Sequence, residues 1–140
     1  MRSIFKLIMT KTRLFLSNYR FSIVCAALIW YLSIWFMPPD IPELRNVAFL
    51  DKWTHFLMYG SFTSIIWWEY LRLHTTLEPM KLFLLAWLAP VAMSGMIEII
   101  QETCTENRAG EWLDVAANAT GCTIGATIGL LLKSVKKRRF

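Results

Sequence analysis

The chain has 140 residues, of which 56% are apolar and only 18% charged, whereas a soluble domain runs about 45–50% apolar and about 25% charged. Mean hydropathy is +0.42, and the seven Trp and nine Phe fall in long apolar runs. That excludes a disordered chain and a disulfide-stapled miniprotein and weighs against a soluble globule. The net charge of +5 does not announce a nucleic-acid partner, because ten of the fifteen basic residues lie in the first 20 and last 8 positions, flanking apolar runs. The pattern is that of an all-α, polytopic membrane protein.

Residues 1–20 form a basic arm. At about 100° per residue, Arg2, Lys6, Arg13 and Arg20 share a sector of roughly 40°, and Ile4, Leu7, Ile8, Leu14 and Phe15 lie opposite, with Lys11 the exception. This predicts an amphipathic helix lying in the cytoplasmic headgroup region, held by anionic lipid; a basic helix that binds a protein partner is the alternative. The arm is too long, and the apolar run after it too extended, for a cleaved secretory signal, so an uncleaved signal anchor is expected.

Four spans follow within residues 21–132, each near the ~17–25 residues a bilayer requires. They run from about Phe21 to Met37, ending at Pro38-Pro39, from Trp53 to Leu71, from Leu82 to Gln101 and from Leu113 to Leu132. Residues 133–140 form a basic tail. Twelve Lys and Arg fall on the side of the termini and the middle loop, against Arg45, Lys52 and Arg108 on the other. By the positive-inside rule both termini are expected to be cytoplasmic.

Cys25 and Cys122 lie in spans and Cys104 in an outer loop, with no redox or metal spacing. Charged groups are costly in a membrane, so their placement carries information. Asp51, Lys52 and His55 open the second span, Glu98 and Gln101 close the third, and Asp114 and Asn118 begin the fourth, with Arg108 in the loop before it. With a rise of 1.5 Å per residue, all lie at the outer interface or within ~10 Å of it. Glu69 falls at the opposite boundary, where Arg72 at i+3 is the expected ion-pair partner. In the fourth span, Ala117, Gly121, Gly125 and Gly129 make a small-residue ridge that admits a neighbouring helix closely. Pro90 should kink the third span and free a carbonyl that a neighbour must satisfy.

Asp51-Lys52-x-x-His55-Phe56 with Tyr59, then Glu98-x-x-Gln101, then Arg108-x5-Asp114-x3-Asn118-x2-Gly121-x3-Gly125 resembles the VanZ-like family of small bacterial membrane proteins. The resemblance covers roughly Asp51 to Gly129. It implies that residues 21–132 are a four-helix VanZ-like domain and that the protein has a cell-envelope role. The name-giving member accompanies glycopeptide resistance, especially to teicoplanin; membership implies neither resistance nor a defined activity for this chain.

Asp51, Lys52, His55, Glu98, Gln101, Arg108, Asp114 and Asn118 are therefore the candidate ligand-binding cluster. Lys and Arg suit phosphate, Arg through two oxygens at once, and a His among carboxylates suits proton transfer. The natural ligand class, given the resemblance, is a lipid-linked phosphate or pyrophosphate such as an undecaprenyl-linked wall precursor at the outer leaflet. Two other readings stay open: the mixed charges neutralise one another and merely pin helix ends in a small scaffold protein, or the protein is an enzyme acting on a lipid-linked phosphate. No Ser or Cys nucleophile stands convincingly beside His55, so no catalytic residue is assigned. A metal site from His55, Glu98 and Asp114 is geometrically possible, but one His with scattered carboxylates is a poor zinc signature, so neither metal nor cofactor is expected.

Overall fold

The computed structural model describes residues 2–36, 49–105 and 110–138, with side chains within 4–36, 49–105 and 110–135. Pro38-Pro39, Arg45 and Arg108 lie outside the described residues. The described elements are helical: α1 (Arg2–Asn18), α2 (Arg20–Ile34), α3 (Leu50–Leu73), α4 (Pro79–Phe83), a π-helical turn (Leu84–Leu88), α5 (Ala89–Cys104) and α6 (Trp112–Arg138).

Cross-contacts fix the helix directions. Ser22 near the start of α2 meets Glu69 near the end of α3, whereas Ser33 near the end of α2 meets Gln101 near the end of α5. Ala86 faces Thr63, Ser94 faces Asn118, and Glu98 meets the start of α6 at Glu111. Thus α2, α3, the α4–α5 rod and α6 alternate in direction, with α3 and α6 parallel. The start of α2 and the C-terminal end of α6 lie at one end of the bundle, and the starts of α3 and α6 at the other.

The α3–α6 seam is the most extensive, and the small-residue ridge makes it. A Cβ on Gly121 would strike the Phe56 carbonyl, one on Gly125 would lie 2.6 Å from the Gly60 carbonyl oxygen, and one on Gly129 would collide with the Trp67 indole. Gly60 sits across from Gly121, with its own would-be Cβ 3.3 Å from the Gly121 carbonyl oxygen. In lipid, where association rests on close packing rather than on release of water, these glycines let the two backbones approach. Ala117, one turn earlier on the same ridge, is half-buried.

Two of the helical rods, Pro79–Cys104 and Trp112–Val135, are long and apolar enough to cross a bilayer, and α1 and α2 qualify only as a pair bent by 76°. The expected four spans are therefore not all carried by uniformly apolar helices. α3, at 24 residues, has the length but not the hydropathy, because Trp, Tyr, Thr, Ser and His55 dilute its aliphatic residues. Of those residues Tyr59, Thr63, Trp67 and Tyr70 are buried against protein, as are Phe62 and Ile66, whereas Trp53 and Trp68 are exposed. α3 touches α2, α5, α6 and the π turn and forms the centre of the bundle.

Two polar details hold this core. Pro90 has no N–H to offer the Ala86 carbonyl four residues before it, and the Thr63 hydroxyl donates to that carbonyl at 2.9 Å. The π turn ends at Leu88, two residues before the proline, an irregularity of the kind that accommodates a helix break. The expected Glu69–Arg72 ion pair is replaced by another arrangement. Glu69 is fully buried and accepts hydrogen bonds from Phe21 N–H (3.0 Å), Ser22 N–H (3.1 Å) and the Ser22 hydroxyl (2.5 Å). Tyr19, the residue before α2, makes no side-chain cap, so Glu69 caps α2 from another helix and meets the positive end of its dipole. Arg72 instead lies over the Trp68 ring, 5.0 Å from its centroid.

Candidate functional site

At the end of the bundle away from Glu69, the starts of α3 and α6 and the end of α5 converge. Asp51 and His55 are one turn apart on α3, Asp114 and Asn118 one turn apart on α6, and Glu98 and Gln101 lie in the closing turns of α5, so each pair shares a helix face.

Lys52 is the hub. Its ammonium donates to Asp51 Oδ2 at 2.5 Å and to Glu111 Oε2, and forms an ion pair with Asp114 Oδ1 at 2.9 Å whose alignment falls short of a hydrogen bond. The Lys52 side chain is only 16% exposed; Asp51 and Glu111 face outward at 58% and 51%, and Asp114 is nearly enclosed at 10%. Burial alone would favour neutral lysine, but the three carboxylates outweigh it and hold the ammonium charged well above the usual lysine range. Burial likewise pushes Asp51 up, and hydrogen bonding from Lys52 more than reverses this, leaving its carboxyl below the usual range. Both residues precede the apolar part of α3.

Deeper in, each acidic side chain has one oxygen engaged and one spare. Glu98 Oε2 accepts the Glu111 backbone N–H at 2.8 Å, while Glu98 Oε1 is buried without a hydrogen-bond partner. Asp114 directs Oδ1 to Lys52 and Oδ2 toward His55 Nε2, 3.6 Å away. That is too far for a direct hydrogen bond. His55 Nδ1 and Asn118 Oδ1 are also buried and unpartnered, whereas the Asn118 amide donates to the Ser94 hydroxyl at 2.6 Å. Three of the six buried side-chain atoms without a hydrogen bond among the described residues thus sit on His55, Glu98 and Asn118, and a fourth, Asp114 Oδ1, has only the Lys52 ion pair. Each such group costs ~1–3 kcal/mol, and their concentration in one place is the signature of a site rather than of a packed core.

The predicted residues do not all join this cluster. Gln101 donates its amide to the Ser33 carbonyl at 2.8 Å and ties α5 to α2. Sequence reasoning missed Glu111, Ser94 and Ser33. Glu111 had a signal, since an acid three residues before Asp114 at a helix start favours the helix N-terminus; the two serines had none.

Beside the cluster, α2 and α3 enclose a cavity of about 320 Å³. Leu32, Phe36, Leu50 and Met58 form its apolar wall, and Ser33, Asp51, Thr54 and His55 its polar edge. Asp51 and His55 connect this lining to the Lys52–Asp114 network.

A helical bundle with apolar rods, a glycine seam and a polar cluster buried at one end defines a small integral membrane protein. The chain belongs to the VanZ/LLP1 family, whose family model matches residues 2–133, nearly the whole length. No curated protein and no solved structure matches it significantly.

Proposed function

We propose that this VanZ-family protein has a cell-envelope role and binds the phosphorylated or otherwise anionic headgroup of a membrane lipid, a lipid-linked wall precursor being the leading class. The observation that carries this reading is the cavity between α2 and α3, whose lining joins apolar Leu32, Phe36, Leu50 and Met58 to Asp51, a partner of Lys52, and to His55, which faces Asp114. A phosphate has a route to Lys52 because two of its partners, Asp51 and Glu111, are outward-facing and replaceable, while Asp114 keeps the ammonium in place. His55 at the same edge supplies a polar contact and, if the protein is an enzyme, a proton-transfer group. A role in glycopeptide resistance is the family-level extension of this reading.

Four membrane-crossing segments, with both termini on the cytoplasmic side of the inner membrane and α1 lying along that surface, are the topology we favour. The twelve-to-three distribution of Lys and Arg supports it, as do the alternating directions of α2, α3, the α4–α5 rod and α6 and the 76° turn between α1 and α2. The cluster then faces the outer leaflet.

The competing reading is a scaffold in which the cluster serves packing alone, favoured by the three carboxylates already held by Lys52. Binding of a polyprenyl pyrophosphate and melting temperature, measured on the same detergent-purified Lys52→Ala and His55→Ala variants, separate the two. Headgroup recognition requires binding to fall in both variants. Full binding with a lowered melting temperature refutes it.

A further inference from the structure

We infer that His55, Glu98 and Asp114 form a binding site for a single divalent transition-metal ion of the zinc class, with an open coordination position. One ligand atom from each residue lies within 4.8 Å of the other two, although the residues come from three different helices. Ligands about 2.0–2.1 Å from a tetrahedral ion stand roughly 3.3 Å apart. The His55 Nε2 to Asp114 Oδ2 separation of 3.6 Å is near that spacing and too long for a hydrogen bond between them.

A group of acids near a histidine would not suffice by itself. The independent observation is Glu98, which is 3% exposed and whose Oε1 has no hydrogen-bond partner. Its other oxygen is fixed by the Glu111 N–H at 2.8 Å. Asp114 is arranged the same way, with Oδ1 held against Lys52 and Oδ2 directed at His55. Such outer contacts orient metal ligands while leaving their donor atoms free. A second group, Asp51, Glu111 and Asp114, also brings three carboxylates together, but the Lys52 ammonium already serves all three. The ion therefore belongs on the His55 side of Asp114.

The donor set selects the metal class. Imidazole favours zinc and its first-row neighbours over magnesium or calcium. Three protein ligands leave a position for water or a phosphate oxygen, the arrangement of reactive rather than purely structural zinc sites. The inference deepens the headgroup reading: the described carboxylates Asp51, Glu98, Glu111 and Asp114 outnumber Lys52, and a bound dication would offset most of that excess where His55 meets the cavity.

The test uses the full chain in detergent. After stripping with chelator, reloading with Zn²⁺ and desalting, one zinc per chain is expected, with a rise in melting temperature that equimolar Mg²⁺ does not reproduce. Co²⁺ should give the intense visible bands of a four-coordinate site. His55→Ala and Glu98→Gln should each weaken zinc affinity more than ~10-fold, and Lys52→Met, which loosens Asp114, by roughly 10- to 100-fold. Absence of the cobalt bands in the wild-type protein overturns the inference whether or not a variant folds, as does full zinc occupancy in both His55→Ala and Glu98→Gln. Polyprenyl pyrophosphate binding, followed with and without chelator, keeps the two claims apart. Lipid binding that persists without any metal uptake sinks the metal site and leaves the headgroup reading standing. Stoichiometric metal with no lipid binding upholds the site and sinks the headgroup reading.

Discussion

Glu69→Gln tests whether the start of α2 is held by a carboxylate on α3. The substitution keeps the shape and removes the charge. Glu69 Oε1 serves the Phe21 N–H and Oε2 serves both the Ser22 N–H and hydroxyl. Whichever way the new amide turns, its NH₂ faces at least one of these donors, and an unsatisfied buried donor costs ~1–3 kcal/mol. The remaining bonds lose their charge assistance, about half their strength. Relief from burying a charge works in the opposite direction, so the net loss should be about 2–4 kcal/mol. Arg72→Ala, by contrast, removes a contact with the Trp68 face and should cost about 0.5–1 kcal/mol. Unfolding free energies from titration of detergent micelles with denaturing surfactant would compare the two. A loss under ~1 kcal/mol for Glu69→Gln, or a larger loss for Arg72→Ala, would show that Glu69 does not cap α2.

Three further outcomes are expected. Gly121→Ala should destabilise the bundle by about 1–3 kcal/mol, because its Cβ meets the Phe56 carbonyl; Gly95→Ala, with nothing within 4 Å, should be neutral or slightly stabilising, and equal melting temperatures for the two variants would contradict the α3–α6 seam. Thr63→Val should cost about 1–3 kcal/mol by leaving the Ala86 carbonyl beside Pro90 unsatisfied, and an unchanged unfolding curve would mean that another group serves that carbonyl. Reporter fusions after Lys52 and Gly110 should read outside and one after Glu78 inside; the reverse pattern would move the polar cluster to the cytoplasmic face.

Much of the bundle was legible because membrane helices obey strong local rules. Length and hydropathy located α5 and α6, and the four-residue recurrence of Gly121, Gly125 and Gly129 identified a packing face before its partner was known. The freed carbonyl beside Pro90 followed from the missing N–H. The Glu69 assignment failed because i,i+3 spacing offers only partners on the same helix, whereas a buried carboxylate was met by the uncapped end of α2, 47 residues away. α3 is weakly apolar by hydropathy because Tyr59, Thr63, Trp67 and Tyr70 count against it as if they met lipid, although all four are buried.

The sequence by itself determined which polar residues share one end of the bundle, since position along a helix converts directly to height. It could not determine which of them touch, because rotation about each helix axis and the pairing of helices depend on the α3–α6 seam and the antiparallel α5. Tertiary structure drew Gln101 away to Ser33, brought Glu111 onto Lys52, and set His55, Glu98 and Asp114 around one point. His55, Glu98 and Asp114 could be named together from sequence, but spacing over positions 55, 98 and 114 carries no ligand geometry. Only packing, which makes side chains distant in sequence share one small volume, creates it.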